Sequence, residues 1–122
     1  MAQLDRETAS LICADKVEGT PVYNGEGDKL GMIEDVVLDK STGKVAYAVM
    51  SFGGFLGMGE KHHPLPWNAI EYNHQHDGYI VNIAKETLEN APTMDSIDDA
   101  VLADRSFGER VHTHYGISPY WS

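Results

Sequence analysis

The sequence predicts a mainly β chain: a small antiparallel β-barrel over residues 10–90, followed by a short helical extension over residues 91–122. Three observations predict it. Short runs rich in β-branched and aromatic residues recur as far as residue 84, each bounded by a turn signal. The central pair of runs is apolar on both faces, as strands inside a barrel or sandwich are. Beyond residue 85 the apolar spacing shifts from two residues to three and four, the period of a helix.

The central pair lies at 32–38 and 45–52, joined by Asp39-Lys40-Ser41-Thr42-Gly43-Lys44. This is a β-hairpin pattern, with Gly43 able to take the positive φ such loops need. On the first strand Ile33 and Val37 are expected on one face, with Met32, Val36 and Leu38 on the other. On the second, Val45, Tyr47 and Val49 oppose Ala46, Ala48, Met50 and Phe52. Upstream, the apolar run 11–14 reads as a first strand. Pro21-Val22-Tyr23 starts another, with proline at its tolerated first position. Asn24-Gly25 is a hairpin-turn signal. Downstream, Pro64 and Pro66 confine 60–67 to an edge strand or extended rim. Residues 68–73 alternate as a half-buried strand, Asp77-Gly78 turns the chain, and 79–84 return. Trp67 follows two prolines that fix its direction and is expected to be largely buried beside the hairpin. With Gly43, Gly53, Gly54 and Pro66 it makes up the residues expected to matter for structure.

In the extension, 85–91 read as one helical turn stopped before Pro92. Asp95 or Ser96 is the expected cap of a short helix reaching Ala103. Ser106-Phe107-Gly108-Glu109 fits a capping box, and Phe107, Val111 and Tyr115 then form one apolar stripe. Gly116 and Pro119 end that helix. Tyr120-Trp121 places two large aromatics where a frayed tail is usual, so the extension is expected to dock on the barrel or on a partner subunit.

Composition bounds the function. At 42% hydrophobic and 23% charged, the 122 residues can bury a core without disulfides or metals. The single cysteine, Cys13, has no intramolecular partner and reads as a small buried side chain. The sequence shows neither a secretory leader nor a membrane span, so the cytoplasm is the expected location. A net charge of −10 repels phosphate backbones and anionic lipids, and the nine Lys and Arg are scattered. Nucleic acid is therefore not an expected partner.

Candidate chemistry is sparse. The six histidines fall in three pairs: His62-His63, His74 with His76, and His112 with His114. His74 and His76 share a face on a strand but fall in a turn signal. His112 and His114 lie about 200° apart on a helix and do not converge. Zinc needs three or four ligands in fixed geometry, so no metal and no other cofactor is expected. Glu34 and Asp35 interrupt an apolar strand, and one of them is expected to face inward or edgeward, as a hydrogen-bond acceptor or a general base. Gly54 and Gly59 have the spacing of a phosphate loop, but Glu60 stands where the lysine is required, which rejects nucleotide binding. Phe55, Leu56 and Met58 in the glycine-rich 53–59 loop are large apolar residues in a setting that local structure cannot bury. They suit a contact surface or a lid over a barrel end.

Together, Gly31 to Asp39 (GMIEDVVLD), Thr42 to Tyr47 (TGKVAY), Gly53-Gly54-Phe55-Leu56-Gly57 and Pro66-Trp67 resemble the PRC-barrel domain. That family includes the cytoplasmic domain of the photosynthetic reaction-centre H subunit and the carboxy-terminal domain of a small-subunit ribosome maturation factor. The resemblance covers residues 10–90. The segments 105–111, 115–116 and 119–121 resemble the tail of stand-alone bacterial members. The resemblance implies a small β-barrel that acts as a protein-interaction module, with no common catalytic residues. The expectation is thus a non-catalytic, self-associating module, most simply a two-fold homodimer, with another protein as a further possible partner. Its candidate surface comprises Phe55, Leu56, Met58, Phe107, Val111, Tyr115, Tyr120 and Trp121. The alternative is a metal-binding or hydrolytic protein using His62 and His63 with Glu60 or Asp35. Association with RNA, by analogy with the maturation factor, is opposed by the charge.

Overall fold

Residues 32–38 and 45–52 pair as the longest hairpin of the protein, and the rest of the sheet grows outward from it. The computed structural model describes residues 10–52 and 61–121. A short helix α1 (Ala14–Val17) is followed by β1 (Pro21–Tyr23), β2 (Lys29–Leu38), β3 (Val45–Phe52) and β4 (Lys61–Pro66). A 3₁₀ turn (Trp67–Ala69) leads to β5 (Ile70–Asn73) and β6 (Gly78–Val81), then to α2 (Lys85–Glu89), α3 (Asp99–Ala103) and α4 (Arg105–Tyr115).

The six strands form one sheet in the order β4-β3-β2-β1-β6-β5. Every pairing is antiparallel except β1 with β6, which is parallel. The expected antiparallel barrel is thus a mixed half-barrel. Its two end strands, β4 and β5, are consecutive in sequence and joined only by the 3₁₀ turn. The chain itself ties the ends of the curled sheet together where a closed barrel would use a hydrogen-bonded ladder. The β4 end is blunted. His62 exchanges backbone hydrogen bonds of 2.9 Å with Met94 on its side away from β3. Pro64 and Pro66, two and four residues on, share that outward side and have no N–H to offer.

The concave side holds one core, with Ile33 and Val36 from β2, Ala48 and Met50 from β3, and Leu65, Tyr79 and Leu88 closing it. The convex side of β3 holds a second, in which Tyr47 and Val49 meet Met94, Phe107 and Val111 from the extension. That explains why β3 is apolar on both faces. One face lines the barrel and the other seats the helices.

A β-bulge between Ile33 and Asp35 changes the expected facing of β2. It inserts an extra residue, so Ile33 and Val36 both point inward, opposite Met50 and Ala48, while Val37 moves to the convex side with Tyr47. Neither Glu34 nor Asp35 is then forced into the core. Where β2 crosses β3, a Cβ on Gly31 would run into the carbonyl oxygen of Ser51, so only glycine fits there.

Several local expectations shift by a few residues. The run at 11–14 is not a strand. Leu11 is exposed and the chain turns into α1, which anchors Val17 in the concave core. A four-residue apolar run is too short to fix its own period. The cap of α3 is Asp98, whose Oδ1 accepts from the N–H of Ala100 (2.9 Å) and Val101 (3.2 Å), in place of Asp95 or Ser96. The cap of α4 is Asp104, whose Oδ1 accepts from the Ser106 N–H at 2.9 Å, in place of Ser106 itself. In each case a carboxylate outcompetes the neighbouring candidate for the free N–H groups of the first turn. Gly43 (φ 77°) and Gly116 (φ 69°) take the left-handed conformation expected of them, whereas in the Asp77-Gly78 turn Asp77 carries the positive φ. Trp67 is half-buried: it stands in the 3₁₀ turn and lays its ring 5.7 Å from that of Tyr79.

Candidate interaction surface

The extension is fastened to the barrel through an aromatic cluster centred on Tyr47. Tyr47 projects from the convex side of β3. Its ring lies 5.4 Å from that of His112 on α4 and 5.6 Å from that of Tyr120. After α4, left-handed Gly116 reverses the chain so that the last residues run back along the helix. Tyr120 and Trp121 pack edge to face at 4.9 Å, in the geometry aromatic pairs favour. Trp121 reaches the first turns of α4. There the Arg105 guanidinium sits 4.5 Å over its ring, and the bare Cα of Gly108 makes room for it. A Cβ on Gly108 would come within 3.0 Å of the Trp121 ring and 3.1 Å of the Tyr47 hydroxyl. Burial, reinforced by Tyr120, pushes the Tyr47 hydroxyl up to about 12, so it stays neutral.

The eight candidate surface residues divide three ways. Phe107 (6% exposed) and Val111 (0%) are not on the surface: they are the anchors of the extension, because the helical stripe they form faces β3. Tyr115 is largely covered, its buried hydroxyl makes no hydrogen bond, and burial raises its pKa. Tyr120 keeps 39% of its surface exposed, and Trp121 is half-covered. Phe55, Leu56 and Met58, with Gly53 and Gly54, lie outside the described residues.

The histidine pairs do not converge. His62 and His63 are neighbours on β4 and therefore point to opposite sides of the sheet. His62 faces outward, with its Nδ1 paired to Glu34 Oε2 at 2.5 Å. His63 faces the concave core, 1% exposed, with its ring 5.3 Å from that of Phe52 and no partner for Nδ1. Burial, with smaller contributions from His114 and His62, lowers its pKa to about 4. His112 Nδ1–H donates to the Gly108 carbonyl at 2.7 Å, and the His114 Nε2–H donates to the Thr87 carbonyl at 2.8 Å. His74 and His76 are exposed in the β5–β6 turn, packed against Tyr72 and Tyr23. Among the described residues no group of three or more His, Cys, Asp or Glu is placed to hold a metal ion.

The carboxylates are equally dispersed. Asp35 Oδ1 accepts the N–H of Val36 at 2.8 Å, a local bond that steadies the bulge. Lys61 and Asp95 pair at 2.6 Å on the surface, and that hydrogen bond holds the Asp95 carboxyl below its ordinary range. Cys13 is exposed at the start of α1, where a buried thiol was expected, because its neighbour Ile12 and Val17 of α1 are the residues of this stretch that pack on the core. No helix among the described residues is long and apolar enough to cross a membrane.

Comparison with known proteins agrees with this architecture. No curated protein gives a significant match. The family model described as "PRC-barrel domain" matches residues 12–88, from the turn into α1 to the core residue Leu88 on α2. That is more than half of the chain and includes all six strands, so the protein belongs to the PRC-barrel domain family.

Proposed function

We propose that this protein is a cytoplasmic, non-catalytic assembly module that associates with itself, most simply as a two-fold dimer. The PRC-barrel domain is an interaction and assembly module and generally non-catalytic. The observation that carries the reading here is the division of apolar side chains. Phe107 and Val111 are used up in seating the extension on β3, while Met32, Leu38 and Tyr120 remain exposed. A contiguous exposed apolar patch on a folded surface marks a contact, and Tyr120 packed on Trp121 is the start of one. In this reading Phe107, Val111 and Tyr115 act from beneath by holding the tail in place. Tyr120, Trp121 and the loop residues Phe55, Leu56 and Met58 meet the partner copy. Aromatic and methionine side chains are the types enriched at interface centres.

Two differently tagged copies expressed together test this. The tags should co-purify, and Phe55→Ser with Leu56→Ser should abolish the co-purification while leaving the melting temperature unchanged. Equal recovery with the double variant would move the interface away from the loop, and no recovery with the unaltered chain would remove self-association.

A further inference from the structure

The β1–β2 turn carries a covalent weak point that the fold itself imposes. Asn24 is the one asparagine of the chain that precedes a glycine; the others precede Ala69, His74, Ile83 and Ala91. With no side chain on Gly25, its backbone nitrogen is open to attack on the Asn24 side-chain carbonyl carbon. The fold leaves little room for anything larger at that position. A Cβ on Gly25 would stand 2.9 Å from Asn82 Oδ1, just beyond β6.

In the folded turn the Asn24 side chain is committed elsewhere. It is 4% exposed. Its Oδ1 accepts the N–H of Glu26 and the N–H of Asp28, both at 2.9 Å, and its Nδ2 donates to Asp28 Oδ2 at 3.4 Å. The backbone closes around it. The Asn24 N–H donates to the Asp28 carbonyl at 2.9 Å, and the Gly27 N–H donates to the Asn24 carbonyl at 3.1 Å. These bonds hold the carboxamide over residues 26–28. Attack by the Gly25 nitrogen needs that carboxamide to turn back onto its own neighbour, which breaks the bonds to Oδ1.

We propose that Asn24 is the chain's site of spontaneous deamidation, and that the folded β1–β2 turn holds it unreacted. The reaction needs only water. Base in solution takes the Gly25 N–H proton, and the nitrogen bonds to Asn24 Cγ. The Cγ–Nδ2 bond then breaks, and Nδ2 leaves as ammonia with a proton returned from solvent. Water opens the resulting cyclic imide at one of its two carbonyls. The product is an aspartate or an isoaspartyl link, whose main chain is one methylene longer.

Either product damages the turn. A carboxylate at position 24 loses the Nδ2 donor and sets an anion against Asp28 Oδ2 where residue 24 is buried. An isoaspartyl link lengthens the chain beside the register shift that β1 already makes between Val22 and Tyr23. β1 matters more than its three residues suggest. It alone joins β2 to β6, and so joins β4-β3-β2 to β6-β5. The turn therefore works as a one-way latch: a brief opening closes again, and an opening long enough for reaction does not.

The test holds the full chain at mildly alkaline pH, folded and in denaturing urea, and follows it by peptide mass mapping. In urea, residue 24 should convert from amide to acid well ahead of Asn68, Asn73, Asn82 and Asn90. The folded chain should convert there about tenfold more slowly or less, because reaction waits on local opening. Gly25→Ala should slow the reaction in urea, where covering the nitrogen is the only change that counts. Asn24→Asp supplies one product directly and should unfold at a lower urea concentration than the unaltered chain; failure to fold is the extreme of that result. Equal rates in the folded chain and in urea would overturn the proposal. So would a residue 24 that converts no faster in urea than the other asparagines. An Asn24→Asp chain with an unmoved urea midpoint would remove the latch.

Discussion

Lowering the pH should weaken the fold through His63. His63 is 1% exposed and its Nδ1 has no partner, so a charged imidazolium there loses its water and gains nothing. His114 and His62, the charged or titratable groups that act on it, are cations when protonated and push the same way. Its folded pKa of about 4 lies below the ordinary 6.5. Between those values the unfolded chain binds the proton and the folded chain does not, so stability falls as pH falls. The loss begins near pH 6.5 and is complete below pH 4. From pH 7 to pH 5 it amounts to about 2 kcal/mol, rising to about 3 kcal/mol in full. Urea unfolding at pH 7, 6 and 5 should be measured on the unaltered chain and on His63→Leu. The other titrating groups are common to both, so the difference between the two curves isolates His63. That difference should move by about 2 kcal/mol in favour of the leucine variant by pH 5. A difference that stays constant over the range would refute the burial argument.

Other outcomes follow from the packing. Phe107→Ala should cost about 3–5 kcal/mol in urea unfolding, because it empties the seat between α4 and β3; a cost below about 1 kcal/mol would place the extension elsewhere. Gly31→Ala forces a methyl group into the Ser51 carbonyl and should cost about 3 kcal/mol or more, with loss of soluble protein as the extreme result. Gly108→Ala should leave stability within about 1 kcal/mol, since the gain in helix propensity offsets the displaced ring. Its signature is instead a red shift of Trp121 emission, read in a Trp67→Phe background, and an unmoved spectrum would contradict the fit of that ring to the helix.

Much of the fold was legible because it is written in local period. The hairpin of β2 and β3, the turn at Gly43, the edge position of the proline-bearing β4 and the end of α4 at Gly116 all depend on residues a few positions apart. What was not legible depends on pairing with distant segments. The bulge at Glu34 and Asp35 exists only against β3, and it overrides the strict alternation behind the expectation of an inward or edgeward carboxylate. The parallel pairing of β1 with β6 joins segments more than fifty residues apart and leaves no mark on either three- or four-residue strand. The caps missed by a few positions because Asp95, Ser96, Asp98, Asp104 and Ser106 all offer a cap, and only packing of Phe107 and Val111 on β3 fixes where each helix starts.

The candidate surface was legible in composition more than in role. Its aromatic residues were singled out by composition, but their spacing could not say which face of α4 meets Tyr47. Phe107 and Val111 became anchors and Tyr120 stayed exposed for that reason.

Sedimentation equilibrium of the unaltered chain, from low to high micromolar concentration, tests self-association most directly. The account predicts a mass that climbs with concentration toward twice 13.5 kDa. A mass of 13.5 kDa at every concentration would contradict it.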